Sequence, residues 1–229
     1  MKKSHKKYIL TIETTSNICG VSLIAENNVI YENDLDKGLN HSITLFDNIN
    51  NALKNINISD LEKIKISNGP GSFTGIRIGI SAALGLSEPK NIILEYVDTL
   101  DSIAYNVKNK NDYIISMIDA KNDRIYLAIY NSKSLYKMSR DIVIDIETFI
   151  ELINKYFYNQ KITFSFVGDG AVNYKNQFKN NLKINYTIYE NNSTLKSSSL
   201  AYIDGIVSKY PVINYILASK AERGKNGKC

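Results

Sequence analysis

Residues that ligate metals or form disulfides are scarce in this chain. It has two histidines, His5 and His41, and two cysteines, Cys19 and Cys229. His5 lies in a basic leading stretch, and His41 opens an amphipathic segment where a surface or capping role suffices. Neither has a second ligand at metal spacing and no H-E-x-x-H occurs, so no zinc or iron site built by this chain alone is expected. Cys19 falls inside an apolar run and Cys229 is the last residue; with no disulfide framework, the expectation is a reducing, cytoplasmic setting. Long apolar runs are also lacking, so no membrane span is expected, and Tyr8-Ile9-Leu10 is too short for a secretion signal. Sequons such as Asn192-Ser193-Thr194 read as chance in an Asn-rich chain. The net charge is +5, much of it at the ends: Lys2, Lys3, Lys6 and Lys7, then Lys220, Arg223, Lys225 and Lys228. This reads as solvated termini rather than a nucleic-acid patch. What remains is ordinary: 229 residues, 44% hydrophobic and 22% charged, enough for a sizeable core in one or two globular domains.

The most distinctive stretch is Ser67-Asn68-Gly69-Pro70-Gly71-Ser72-Phe73-Thr74-Gly75-Ile76-Arg77-Ile78-Gly79. It follows an alternating segment, Lys63 to Ile66, and precedes a helical one, Ile76 to Leu86, so it reads as a glycine-rich turn from a strand into a helix start. A P-loop needs Lys-Ser/Thr after its second glycine, and a dinucleotide fingerprint needs G-x-G-x-x-G. Here Ile76 follows Gly75 and the spacing is G-x-G-x-x-x-G. Two readings stay open. One is a tight turn in which Gly75 and Gly79 admit a close neighbour. The other is an anion site made by Gly69, Gly71, Ser72, Thr74 and Gly75 at the helix N-terminus.

Tyr8 to Glu13, Ile18 to Ala25 and Val29 to Leu35 read as three antiparallel strands, with a tight turn at Glu26-Asn27-Asn28. Leu45, Ile49, Ala52, Leu53 and Ile56 keep helical spacing from His41 to Asn55, with Asn40 as a candidate N-cap. The glycine-loop helix stops at Glu88-Pro89. A strand over Ile92 to Val97 and a helix through Leu100, Ile103, Ala104 and Val107 follow. The order β-β-β-α-β-α-β-α then repeats. Tyr113 to Asp119, Arg124 to Asn131 and Ser134 to Met138 are the strands, and a helix runs from Ile146 to Phe157. A strand at Thr163 to Val167, a helix at Ala171 to Lys179, a strand at Ile184 to Tyr189 and a last helix through Leu200 to Tyr210 complete it. The halves keep phase: Glu13 matches Asp119, and Gly69-Pro70-Gly71 matches Gly168-Asp169-Gly170. Each half has the ribonuclease-H-like order, and two copies resemble the α/β actin-like ATPase superfold. The expected domains are 1–106 and 107–229, meeting in the polar stretch Asn106 to Asn111.

Several chemistries are excluded or weakened. Gly71-Ser72-Phe73-Thr74-Gly75 is not the G-x-S-x-G of a nucleophile elbow. A kinase of this superfold opens with Asp-x-Gly-Thr, whereas this turn is Glu13-Thr14-Thr15-Ser16-Asn17, without the glycine. Asp119 and Asp169 suit either Mg²⁺ binding or ordinary turns.

With these residues in view, the chain resembles the TsaB family. The shared features are Ile12-Glu13-Thr14-Thr15, His41-Ser42, the glycine stretch Gly69 to Gly79, Ile118-Asp119-Ala120-Lys121, Gly168-Asp169-Gly170-Ala171 and Tyr215 to Glu222. Glu13 replaces the family's aspartate and Ala218 its arginine. The resemblance implies a non-catalytic scaffold for threonylcarbamoyl transfer to the adenosine beside the tRNA anticodon. It would dock the catalytic paralogue TsaD, recruit the ATPase TsaE, and meet tRNA through the complex. Thr99 and Ile103 stand where TsaD carries metal-binding histidines. No cofactor is implied for the chain itself, and ATP or ADP could sit only at a subunit junction. The docking surface implied is the helix pair, through Leu45, Phe46, Ile49, Leu53, Ile76, Ile80, Ala83 and Leu84, which alone could pair as a homodimer. The competing hypothesis is an autonomous ATP-using enzyme, which ATP turnover with and without TsaD distinguishes.

Overall fold

The computed structural model describes residues 7–36 and 41–216. In chain order the strands are β1 Tyr8–Glu13, β2 Ile18–Ala25, β3 Asn28–Asp36, β4 Leu61–Ser67, β5 Ile93–Val97, β6 Tyr113–Asp119, β7 Arg124–Asn131, β8 Ile142–Asp145, β9 Thr163–Val167, β10 Asn185–Ile188 and β11 Ile206–Val207. The α-helices are α1 His41–Ala52, α2 Phe73–Ser87, α3 Thr99–Tyr105, α4 Ile146–Phe157, α5 Asp169–Asn173 and α6 Lys175–Asn181. The chain divides into two units. One runs to Ser102 and takes in Leu195–Ile213; the other spans Ile103–Thr194 and resumes at Asn214. The candidate cap Asn40 and the departure at Ala218 lie outside the described residues.

The first sheet has the order β11-β5-β4-β1-β2-β3. β1, β2 and β3 are antiparallel neighbours, and the β2–β3 hairpin turns through Glu26 and Asn27 at φ 51° and 63°. Left-handed residues match the turn to the twist of the strands. β4 pairs parallel with β1 and β5 parallel with β4, connections that need crossovers, here α1 and α2. Period-two alternation separates two faces. Leu10, Ile12, Val21, Leu23, Ile64, Ile66, Leu94 and Tyr96 form a core cluster with Leu45 and Ile49 of α1 and Ile76, Ile80 and Ala83 of α2. Burying each large aliphatic side chain contributes about 1.5–3 kcal/mol.

The opposite face of the same strands carries a set of residues that are polar yet buried: Thr11, Glu13, Ser22, Lys65, Ser67 and Glu95. They are closed over by a 3-10 turn, Ser197–Tyr202, which returns from the far end of the chain. Ser197 Oγ lies 2.5 Å from Ser22 Oγ and donates to Asp34 Oδ1 at 2.6 Å. Lys65 Nζ donates to the Ile203 carbonyl at 2.6 Å and pairs with Glu95 at 3.0 Å, while Gly205 N–H donates to Glu95 at 2.8 Å. These contacts replace the helix expected from Leu200 to Tyr210. The segment meets a polar face, so its serines bond the sheet, and Ile206 and Val207 extend it by pairing with Tyr96 and Glu95 of β5. The chain thus returns to the first unit instead of crossing once near residue 106.

The second sheet has the order β10-β9-β6-β7-β8, with β7 antiparallel to β6 and β9 and β10 parallel to β6. Both units therefore show the ribonuclease-H-like order. The second core is aromatic: Phe149, Phe166 and Phe178 meet edge to face at 5.4–6.0 Å. Its third strand is β8, not Ser134 to Met138 as expected. That segment opens as a turn, with Leu135 at φ 57° and Asn131 Oδ1 accepting from Lys133 N–H and Ser134 N–H, and only its end meets β7, in an isolated antiparallel bridge between Lys137 and Tyr130. An Asx turn of this kind competes with strand pairing. Among the described residues, no helix is long and apolar enough to cross a membrane.

Candidate functional site

In the first unit the β1–β2 turn and the glycine loop lock together. Ser72 N–H donates to the Thr15 carbonyl at 2.6 Å, and Thr14 Oγ1 donates to the Gly75 carbonyl at 2.8 Å. Ser72 caps α2, its Oγ accepting from Gly75 N–H at 3.2 Å. Behind the loop, Thr99 N–H donates to the Gly69 carbonyl at 2.9 Å and Thr99 Oγ1 donates to Thr15 Oγ1 at 3.3 Å. The glycines are required by this approach. A Cβ at Gly75 would sit 1.9 Å from Thr14 O, and one at Gly71 would sit 2.3 Å from Thr15 O. Two amides at the helix start are already engaged, Ser72 N–H by the Thr15 carbonyl and Gly75 N–H by Ser72 Oγ.

Glu13 ends β1 beneath this turn and is fully buried. Its Oε1 accepts from Thr15 N–H at 2.7 Å and Thr15 Oγ1 at 2.5 Å. Its Oε2 has no hydrogen-bond partner, the Ser67 hydroxyl being turned to the Ile12 carbonyl at 3.4 Å. Burial, with the Asp34 charge adding, pushes the carboxyl up to about 7, against the pull of the Thr15 bonds and of the neighbouring Ser67 hydroxyl. Cys19 is buried too, and burial, with Glu13 and Asp34 adding, pushes its thiol up to about 11.

The second unit has the counterpart at Asp119 and Gly168. Asp169 Oδ1 accepts from Asp119 N–H at 3.0 Å, and burial raises the Asp169 carboxyl. Asp119 accepts from Lys121 N–H and Nζ, both at 2.8 Å, and from Asn173 Nδ2 at 3.0 Å. Among the described residues, no cluster of three or more His, Cys, Asp or Glu side chains could hold a metal ion.

The expected docking residues divide sharply. Leu45, Ile49, Ile76, Ile80 and Ala83 belong to the core of the first unit, because their stripes face the sheet. Leu53 and Leu84 are half-buried and Phe46 is exposed. Sequence reading missed Ile43, 72% exposed one turn before Phe46, and the open position of Gly85, where a Cβ would meet nothing within 4 Å.

Two ribonuclease-H-like units, each with its first β-turn set against a glycine turn, define a protein of the actin-like ATPase superfold. The solved structure of YeaZ from Pseudomonas aeruginosa shares this fold, with a TM-score of 0.68 at 17% identity over 92% of this chain and 99% of that one. The family model described as TsaD, tRNA N6-adenosine threonylcarbamoyltransferase, matches residues 37–221. The tRNA threonylcarbamoyladenosine biosynthesis protein TsaB of Bacillus subtilis is 31% identical over 128 residues, covering 55% of this chain and 56% of that protein. TsaB of Buchnera aphidicola subsp. Baizongia pistaciae is 28% identical over 224 residues, covering 92% and 96%. The match thus spans just over half of the Bacillus relative but nearly all of the Buchnera one. This chain belongs to the TsaD glycoprotease family, within its TsaB group.

Proposed function

We propose that this chain is a non-catalytic subunit in the biosynthesis of tRNA threonylcarbamoyladenosine. In this role it docks a catalytic TsaD-like paralogue in the cytoplasm and recruits a TsaE-like ATPase. One observation carries the non-catalytic part: the glycine loop is closed onto the first turn, with Ser72 N–H on the Thr15 carbonyl at 2.6 Å and the Thr14 hydroxyl on the Gly75 carbonyl at 2.8 Å. An ATP-using site of this superfold needs such donors free for phosphate. Thr99 and Ile103, where TsaD carries histidines, support the same reading. Thr99 bonds Thr15, and Ile103 is buried in the apolar interior.

The docking surface is the outer side of α1 and α2, through Ile43 and Phe46 with Ile78, Leu84 and the bare backbone at Gly85. Small and apolar surface of this kind is normally covered, by the TsaD-like subunit or, without it, by a second copy. Phe46→Glu and Gly85→Glu test it, since neither site is buried. Both variants should keep their circular dichroism and lose co-elution with the TsaD-like subunit and tRNA modification in a reconstituted assay. Full partner binding by both would overturn the surface, and ATP turnover by the chain alone would overturn the role.

A further inference from the structure

We propose that one pole of the second unit, at the N-terminal ends of its parallel strands β6 and β9, is a contact surface for an RNA backbone. Three segments distant in sequence, residues 107–112, 132–138 and 155–162, are knitted together there. Asp112 N–H donates to the Thr163 carbonyl, Ser132 N–H to the Asp112 carbonyl and Asn109 N–H to the Ser132 carbonyl, all within 3.0–3.1 Å. Asn111 Nδ2 donates to the Phe164 carbonyl at 3.0 Å. The Phe157 ring packs edge-on to Phe164 at 5.1 Å, which brings the end of α4 to the same place.

The assembled surface is basic. Lys108, Lys110, Lys133, Lys155 and Lys161 are all exposed. Lys137 is paired with Asp141 at 2.6 Å and is not counted. The acid within these segments is Asp112, and its carboxylate already accepts from Thr163 N–H at 2.9 Å and Thr163 Oγ1 at 2.8 Å. Those bonds, with the Lys133 charge adding, hold it below the usual carboxylate range. Glu151 lies at the margin, one turn back along α4. Between the lysines stand exposed rings: Tyr136 at 72%, Tyr156 at 60% and Tyr158 at 56%. Lys155 Nζ lies 5.6 Å from the Tyr156 ring centroid.

Cations spread between flat exposed rings suit a polyanion that also carries stacking bases. An acidic peptide would use the lysines and leave the tyrosines idle. The pole lies at the end of the sheet opposite Asp119 and Gly168, so it is separate from the glycine turn of this unit. It rests on the proposed role only for the identity of the RNA as tRNA.

The test titrates the full chain with an unmodified tRNA transcript and, separately, with polyglutamate. Lys110→Gln/Lys133→Gln/Lys161→Gln should weaken tRNA binding roughly tenfold or more at about 50 mM salt, and flatten the salt dependence by about one unit of slope per lysine on a phosphate. Tyr156→Ala/Tyr158→Ala should weaken binding severalfold with the slope unchanged. Both variants should still co-elute with the TsaD-like subunit. Unchanged tRNA binding in both overturns the proposal, as does polyglutamate binding that matches tRNA and falls with it. Loss of partner binding in Phe46→Glu with tRNA binding intact supports the pole and the docking surface as separate. Intact partner binding in Phe46→Glu and Gly85→Glu with tRNA binding lost in the lysine variant fails the docking reading alone.

Discussion

Glu13 and Asp119 occupy the same place in two copies of one topology, and their chemistry is opposite. Each ends the first strand of its sheet beside a glycine turn that follows the fourth. Glu13 is sealed: Thr15 supplies both donors to Oε1, Oε2 has none, and burial lifts the carboxyl to about 7. Asp119 is also pushed upward by burial, but Lys121, through side chain and backbone, and Asn173 outweigh it and hold the carboxyl below its usual range. The difference originates in the turn that follows. Lys121, Asn122 and Asp123 run left-handed at φ 63°, 55° and 55°, curling Lys121 N–H back onto Asp119. Thr15 N–H curls back onto Glu13 in the same way, but it brings no cation, and the Thr14 hydroxyl and Thr15 carbonyl bond the glycine loop and close the carboxyl off. A duplicated fold fixes where a carboxylate stands; the next three residues decide whether it is a buried acid or a pinned anion.

The largest effects belong to the glycines that permit both turns to close. Gly75→Ala would place a Cβ 1.9 Å from Thr14 O, and Gly168→Ala one 2.0 Å from Met117 O at a φ of 104°. Met117 lies in β6 and cannot withdraw without breaking its sheet, and Thr14 is held against the loop by its hydroxyl bond to the Gly75 carbonyl. Each substitution should cost about 3 kcal/mol or more. Gly85→Ala, on the open side of α2, should instead be neutral or stabilise by up to about 1 kcal/mol. Urea unfolding midpoints rank the three. A Gly75→Ala variant as stable as the parent would mean that the first turn is not locked to its loop.

Glu13 gives the next largest effect, through pH. Its folded pKa, about 7, lies above the ordinary 4.5. Below 4.5 both folded and unfolded chains hold the proton. Between 4.5 and 7 the unfolded chain releases it while the folded chain retains it, so stability falls as pH rises through that window. The total is on the order of 3 kcal/mol. Glu13→Gln mimics the protonated acid and should abolish this slope, leaving the variant more stable than the parent at pH 8. Unfolding midpoints at pH 5 and pH 8 decide it, and equal slopes would show that Oε2 is solvated or paired.

The strand order of both units was legible because their buried stripes keep a period of two and their crossover helices a period near 3.6. The turn chemistry was partly legible: the first turn lacks the glycine of Asp-x-Gly-Thr, which weakened a kinase reading, and a close neighbour at Gly75 and Gly79 was one of the two readings left open. Three features were not. The Leu200-Ile203-Val207-Tyr210 spacing is helical, but the segment folds onto Ser22, Asp34, Lys65 and Glu95, residues up to about 175 positions away whose polarity no local window registers. Leu45, Ile80 and Ala83 carry the same apolar stripe whether it faces a sheet or a partner, so periodicity could not assign them. The basic pole of the second unit is made by three short segments, none of them strongly charged alone. Only closure of the sheet adds Lys110, Lys133 and Lys161 together.

The smallest effect sharpens the comparison from the side of Asp119. Its contact with Lys121 Nζ measures 2.8 Å, but the lysine side chain is 76% exposed. Solvent-facing pairs of this kind contribute about 0–1 kcal/mol and are screened by salt. Lys121→Ala should therefore cost less than about 1 kcal/mol, and less still at high salt, because the backbone N–H of residue 121 continues to donate to Asp119. Asp119→Ala should cost more, about 1–3 kcal/mol, since it leaves the Lys121 amide and the Asn173 side chain without their acceptor. Unfolding of both variants at low and high salt separates the two contributions. If Lys121→Ala proved as costly as Asp119→Ala, the anion would be held by the lysine charge rather than by the shape of the turn, and the contrast with Glu13 would be one of charge pairing alone.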